Sequence, residues 1–176
     1  MYFHGHGCKN SKAPGGRPES TRRQPGVFGR MRKLRTVFAW GAAVVVTAAA
    51  GSVIQTQFNL AMIQQLGAPI PLAIRFETTV HDLIGFAPGY AVLVAAGFLV
   101  ALGISALFAR HWPRARVGLH AIAGGVAIAA ALLLMNALLP ATIIGAARLP
   151  AGVAALSLAG VVGGGLFAYW TRPRTG

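Results

Sequence analysis

Four long stretches of this chain carry no charge, and that one feature decides most of what it can fold into. Val37 to Ile54 reads VFAWGAAVVVTAAAGSVI, and uncharged runs recur at about 83–109, 117–139 and 151–170. Each is close to or above the ~20 residues an α-helix needs to cross ~30 Å of hydrocarbon. Core helices of a soluble protein would keep a polar face at helical spacing, and these runs have none. Charged residues make up only 11% of the chain, against roughly 25% in soluble domains. The expectation is an all-α polytopic membrane protein: a compact bundle of four transmembrane helices with a partly helical outer loop between spans one and two.

The basic residues set the expected orientation. Lys and Arg number 16 against 3 Asp and Glu, an excess that by itself would suggest a nucleic-acid partner. Their distribution argues otherwise. All but Arg75 and Arg148 fall before span one, between spans two and three, or after span four. Basic residues accumulate on the cytoplasmic side of membrane proteins. Both termini are therefore expected in the cytoplasm of a bacterial cell, with the protein in the inner membrane and no role in nucleic-acid binding. Trp40, Trp112, Tyr169 and Trp170 fall near the cytoplasmic ends of the spans, and Phe86 and Tyr90 near the outer end, as an aromatic belt requires.

Residues 1–35 read as a disordered basic tail ahead of a single transmembrane domain at 36–176. Gly, Pro, Ser and Arg dominate the tail. His4, His6 and Cys8 alternate there as soft-metal ligands would, but with no partner cluster elsewhere no metal site is expected. Met31 opens MRKLRTVF, a second plausible start. Span one, with its Ala48-Ala49-Ala50-Gly51 stretch, also resembles a cleavable signal, although its run on to Ile54 favours an uncleaved anchor.

Polar chemistry concentrates between Gln55 and Asp82. Gly67, Pro69 and Pro71 interrupt the chain, and a helix is expected from Leu72. On it Glu77 and His81 share a face at i,i+4, with Arg75, Thr78 and Asp82 on a neighbouring one. Pro88 either kinks span two or marks its true start, in which case residues 72–86 form a separate interfacial helix. As a ligand site, Arg75, Glu77, His81 and Asp82 would line the outer mouth of the bundle together with Asn136 of span three. A carboxylate beside an imidazole can relay a proton or bind a polar head group. The competing account has the same residues capping helices, pairing with Arg75 or Arg148, and meeting water and lipid. Asn136 is the costliest of them to leave unpaired, and a bond across the helix pair satisfies it as well as a ligand would.

Within the spans, Thr47 is expected to bond its own i−4 carbonyl, and His120, a turn from Arg116, to meet head groups. No charge stands at mid-depth, which argues against an ion-coupled pump or channel. The helices instead carry small residues that let backbones approach. Gly160 and Gly164 form a GxxxG step, and Gly97 with Ala101 gives span two a similar stripe. These serve packing within the chain, or a membrane-protein partner or a second copy. A weak internal echo relates Phe58-Asn59-Leu60 to Met135-Asn136-Ala137, as a parallel duplication would.

No nucleotide loop, nucleophile–base pair or paired mid-membrane histidine is present, so the residues point away from catalysis and name no cofactor. The leading reading is a non-enzymatic small integral membrane protein, an accessory or assembly subunit in contact with membrane lipid. The alternative is a small transporter or a lipid- or quinone-binding protein using the outer cluster. A quinone-linked redox enzyme built around His81 is a third.

Overall fold

The computed structural model describes residues 25–138 and 144–172. They form five α-helices and two single 3-10 turns. Helix α1 spans Pro25–Gln65, α2 Leu72–Gly85, α3 Ala87–His111, α4 Arg116–Leu138 and α5 Pro150–Trp170. By length and composition, α1, α3, α4 and α5 are the four that can cross a membrane. The protein is therefore an all-α bundle of four long apolar helices, with α2 as a helical loop between the first two spans.

Helix α1 outruns its apolar stretch at both ends. It begins at Pro25, within the segment read as tail, and continues through Gln55–Gln65 because Gln, Met, Leu and Ala are all good helix formers. Its 41 residues rise about 60 Å, twice the hydrocarbon thickness. It stops in a turn where Leu66 and Gly67 donate to the carbonyls of Ile63 and Gln64. Gly67, at φ +89°, is the one described residue in the left-handed region, a conformation glycine adopts without steric cost.

The second span starts later than its apolar run. Helix α2 ends at Gly85, and α3 begins at Ala87 with Pro88 in its first turn. There the missing N–H of proline has no helical partner to lose. Of the two roles open to Pro88, it takes that of marking the start of the span.

The helices run up and down between two ends. At the basic end, the Arg35 guanidinium donates to the Arg172 carbonyl at 3.3 Å, Arg116 donates to Thr171, and Phe38 stacks on Trp170. These contacts tie α1 at Arg35 and Phe38, and the start of α4, to the close of α5. At the opposite end, the close of α1 meets α2, the Gly145–Arg148 turn and the start of α5.

The packing combines a seam of small residues with apolar side chains both inside and out. The buried set holds Ala39, Ala43, Gly124, Gly160 and Gly164, while Leu99, Ile122, Leu133, Leu158 and Val162 point outward. In lipid the outside is already apolar, so close backbone approach is what brings helices together. The tightest approach is α4 on α5. A methyl group on Gly124 would strike the Gly160 carbonyl, and one on Gly164 the carbonyl of His120. The GxxxG step of Gly160 and Gly164 is thus occupied within the chain, and Gly97 faces Ala127 of α4. Around this seam, Val94, Phe98 and Leu102 of α3 form an i,i+4 row that meets Ile128, Leu132 and Leu156 in the core.

Candidate functional site

The outer polar residues hold α2 across the end of α1. Thr56 is fully buried, and its hydroxyl donates to the Asp82 carboxylate at 2.7 Å. Arg75 donates to the side-chain oxygens of Gln57 at 2.9 Å and Gln64 at 2.6 Å. The Gln57 amide donates in turn to the Thr79 hydroxyl. Gln57 and Gln64 stand two helical turns apart, so one guanidinium grips α1 at two heights.

A second set of bonds fixes the Gly145–Arg148 turn. The Ala146 N–H donates to Gln55 Oε1 at 2.9 Å, and the Asn136 amide donates to the Ala147 carbonyl at 3.0 Å. Gly145 and Gly152 leave the room this needs. A side chain on the first would meet the Asn59 amide, and one on the second the Ala146 carbonyl.

Arg75, Glu77, His81 and Asp82 all lie on α2, and the structure divides them by use. Arg75 and Asp82 are engaged with α1. Glu77 and His81 are exposed. Asn136 bonds the turn after α4, the cross-element bond that was the alternative to a ligand. No residue of α2 is buried, and its apolar side, with Leu72 84% and Phe76 74% exposed, is turned outward. An amphipathic helix of this kind lies naturally along a membrane interface.

Two expectations inside the spans are corrected. The Thr47 hydroxyl is buried without a partner among the described residues, facing Gly163 instead of its own i−4 carbonyl. His120 is 1% exposed and belongs to the interior: it stacks on Phe167 at 5.5 Å, and its Nδ1–H donates to the Arg116 carbonyl at 2.8 Å.

The basic end holds a feature the sequence alone did not reveal. A chamber of about 640 Å³ opens there, lined by Arg35, Arg110, Arg116, Arg172 and His120. Thr36, Ala106 and Phe167 form part of its wall and also line an apolar slot of about 470 Å³ that runs on along Trp40, Phe98 and Leu99. Glu77 and Asp82, the acidic residues among those described, are both on α2, about 30 Å away by the rise of α1 from Arg35 to Thr56. The signal was visible only as four separate arginines, each accounted for by membrane orientation.

Among the described residues no three His, Cys, Asp or Glu side chains come together to hold a metal ion. His4, His6 and Cys8 lie outside the described residues. The class that fold and sites define is a small all-α protein with four candidate membrane-spanning helices. No protein-family model matches the sequence, and neither a curated protein nor a solved structure matches it.

Proposed function

We propose that this protein acts without catalysis, as an accessory or assembly subunit of a membrane complex in the bacterial inner membrane. The observation that carries the reading is how the outer polar groups are used. Thr56, Gln57, Gln64, Arg75, Thr79 and Asp82 satisfy one another and secure a helix, where a transport or redox site would keep such groups free for a ligand. The result is a rigid bundle presenting an unburied amphipathic helix. Its basic end faces the cytoplasm, by the excess of Arg and Lys there.

Partner contact falls to the exposed faces of the bundle and to α2, because Gly160 and Gly164 are already committed to α4. Gentle extraction followed by native mass spectrometry is the test. Recovery in a larger stable assembly supports the reading; a lone monomer or homodimer from its own membrane overturns it.

The transporter or ligand-binding alternative rests on Glu77 and His81, exposed on one face of α2, with Arg75, Asp82 and Asn136 nearby in the outer polar layer. Glu77→Ala and His81→Ala separate the two. A subunit keeps its assembly in both variants, whereas a transporter loses flux while staying folded.

A further inference from the structure

We propose that the basic chamber and the apolar slot together form a binding site for one phosphate-bearing lipid, its headgroup among the arginines and one acyl chain along the slot. The site is at the opposite end of the molecule from the α2 cluster and is independent of the partner reading above.

Charge is the first support. Arg35, Arg110, Arg116 and Arg172 line one chamber, and no carboxylate among the described residues stands at that end to neutralise them. Arg35, Arg110 and Arg172 are exposed, so water and salt screen their mutual repulsion, but an anion in the recess is attracted by all four. Orientation requires only that arginines stay on one side of the membrane, and side chains serving that purpose can spread into water. Arg116 does not spread. Its Nη2 is held by the Thr171 carbonyl and hydroxyl at 3.0 and 2.9 Å, and its Nε is buried with no partner among the described residues. Arg116 lines the chamber from this fixed position, and a guanidinium is the group whose planar fork matches a phosphate.

The slot supplies the lipid character. It shares Thr36, Ala106 and Phe167 with the chamber and is otherwise apolar, so a ligand filling both is charged at one end and hydrocarbon at the other. Trp40 stands about 7 Å deeper along α1 than Arg35 by helical rise. Its indole N–H is buried and without a partner among the described residues. Trp40 lines the slot on the side away from the arginines. The chamber volume is within the range of small-molecule sites.

The experiment uses the full chain in lipid discs containing equal phosphatidylglycerol and phosphatidylcholine, released into the gas phase for native mass spectrometry. One retained phosphatidylglycerol per chain is expected, at least fivefold over phosphatidylcholine. Arg35→Gln with Arg110→Gln, at two exposed positions on the chamber wall, should lower retention about tenfold with the unfolding temperature unchanged. Gly103→Leu puts bulk into the slot from a position where an added Cβ meets nothing within 4 Å, and should also release the lipid. Inorganic phosphate titrated against the retained lipid distinguishes the source of the anion. If phosphate displaces it fully and Gly103→Leu has no effect, the site is for a soluble anion and the lipid proposal falls. Equal retention of the two lipids, or retention unaltered in the arginine variant, shows that the arginines serve orientation alone and overturns it as well.

Discussion

The two ends of the bundle use polar side chains in opposite ways. At the α2 end, donors and acceptors meet within the chain: Thr56 with Asp82, Arg75 with Gln57 and Gln64, Gln55 with Ala146, Asn136 with Ala147. At the basic end, guanidinium donors gather with few acceptors; among the described residues, unpartnered buried atoms occur toward both ends, Arg116 Nε and Trp40 Nε1 at this one and Ser52 Oγ and Tyr90 OH toward the other. Number of polar groups does not separate the ends; sign does. The bonded groups of the α2 end are amides, hydroxyls, the Asp82 carboxylate and the Arg75 guanidinium, which saturate each other. The basic end offers guanidinium donors, which can be satisfied only by backbone carbonyls, hydroxyls or something brought from outside. A self-satisfied cluster builds structure, and a one-signed cluster keeps its capacity for a ligand.

Substitutions at the two ends should therefore have different consequences, and the seam between α4 and α5 provides the reference. Gly160→Leu drives a side chain into the Gly124 carbonyl and Ile128. Overpacking of this kind should cost about 3 kcal/mol and disturb both ends alike, seen as a large fall in unfolding temperature in detergent. Gln55→Ala leaves the buried Ala146 N–H unpaired and should cost about 2 kcal/mol, with faster amide exchange confined to the Gly145–Arg148 turn. Asp82→Ala removes the acceptor of a charge-assisted bond, while the Thr56 hydroxyl keeps its second acceptor, the Ser52 carbonyl at 2.9 Å. Its cost should be about 1 kcal/mol, and protease cleavage near Gly67 should accelerate as α2 loosens. Arg110→Gln and Glu77→Ala, both at exposed positions, should change stability by less than about 0.5 kcal/mol. If Arg110→Gln destabilised the fold as much as Gln55→Ala, the contrast between the ends would fail.

How much of the molecule was legible in its sequence depends on the physics behind each signal. A charge-free run of about twenty residues has few alternatives to a membrane span, so all four spans could be placed. Pro88 narrowed the junction of α2 and α3 to two readings, a kink or a start, and the fold takes the start, where its missing N–H has no partner to lose. The end of α1 was harder. Its apolar run closes at Ile54, but the helix does not, since Gln55–Gln65 has no breaker before Gly67. The stripe of Gly160 and Gly164 was plain, but small residues encode closeness without naming the neighbour, and Gly124 emerged as that neighbour only in three dimensions. Asn136 and Gln55 bond backbone groups, which have no letter in a sequence. The four chamber arginines come from α1, α3, α4 and the end of α5, and their convergence is set by the fold. Their role in orientation also explained each of them singly, which concealed the group.

The length of α1 has a geometric consequence for α2. Beyond Ile54 the helix is a post carrying Thr56, Gln57 and Gln64, the residues that hold Asp82 and Arg75. On an α-helix, height and azimuth are not independent: each added residue lifts the rest of the helix by 1.5 Å and turns it by about 100°. The post cannot be lengthened or shortened by one residue without swinging the docking face of α2 around to lipid. The altitude of the outer helix thus comes in steps, and the smallest change that restores its bearing to within about 20° is two turns of the helix.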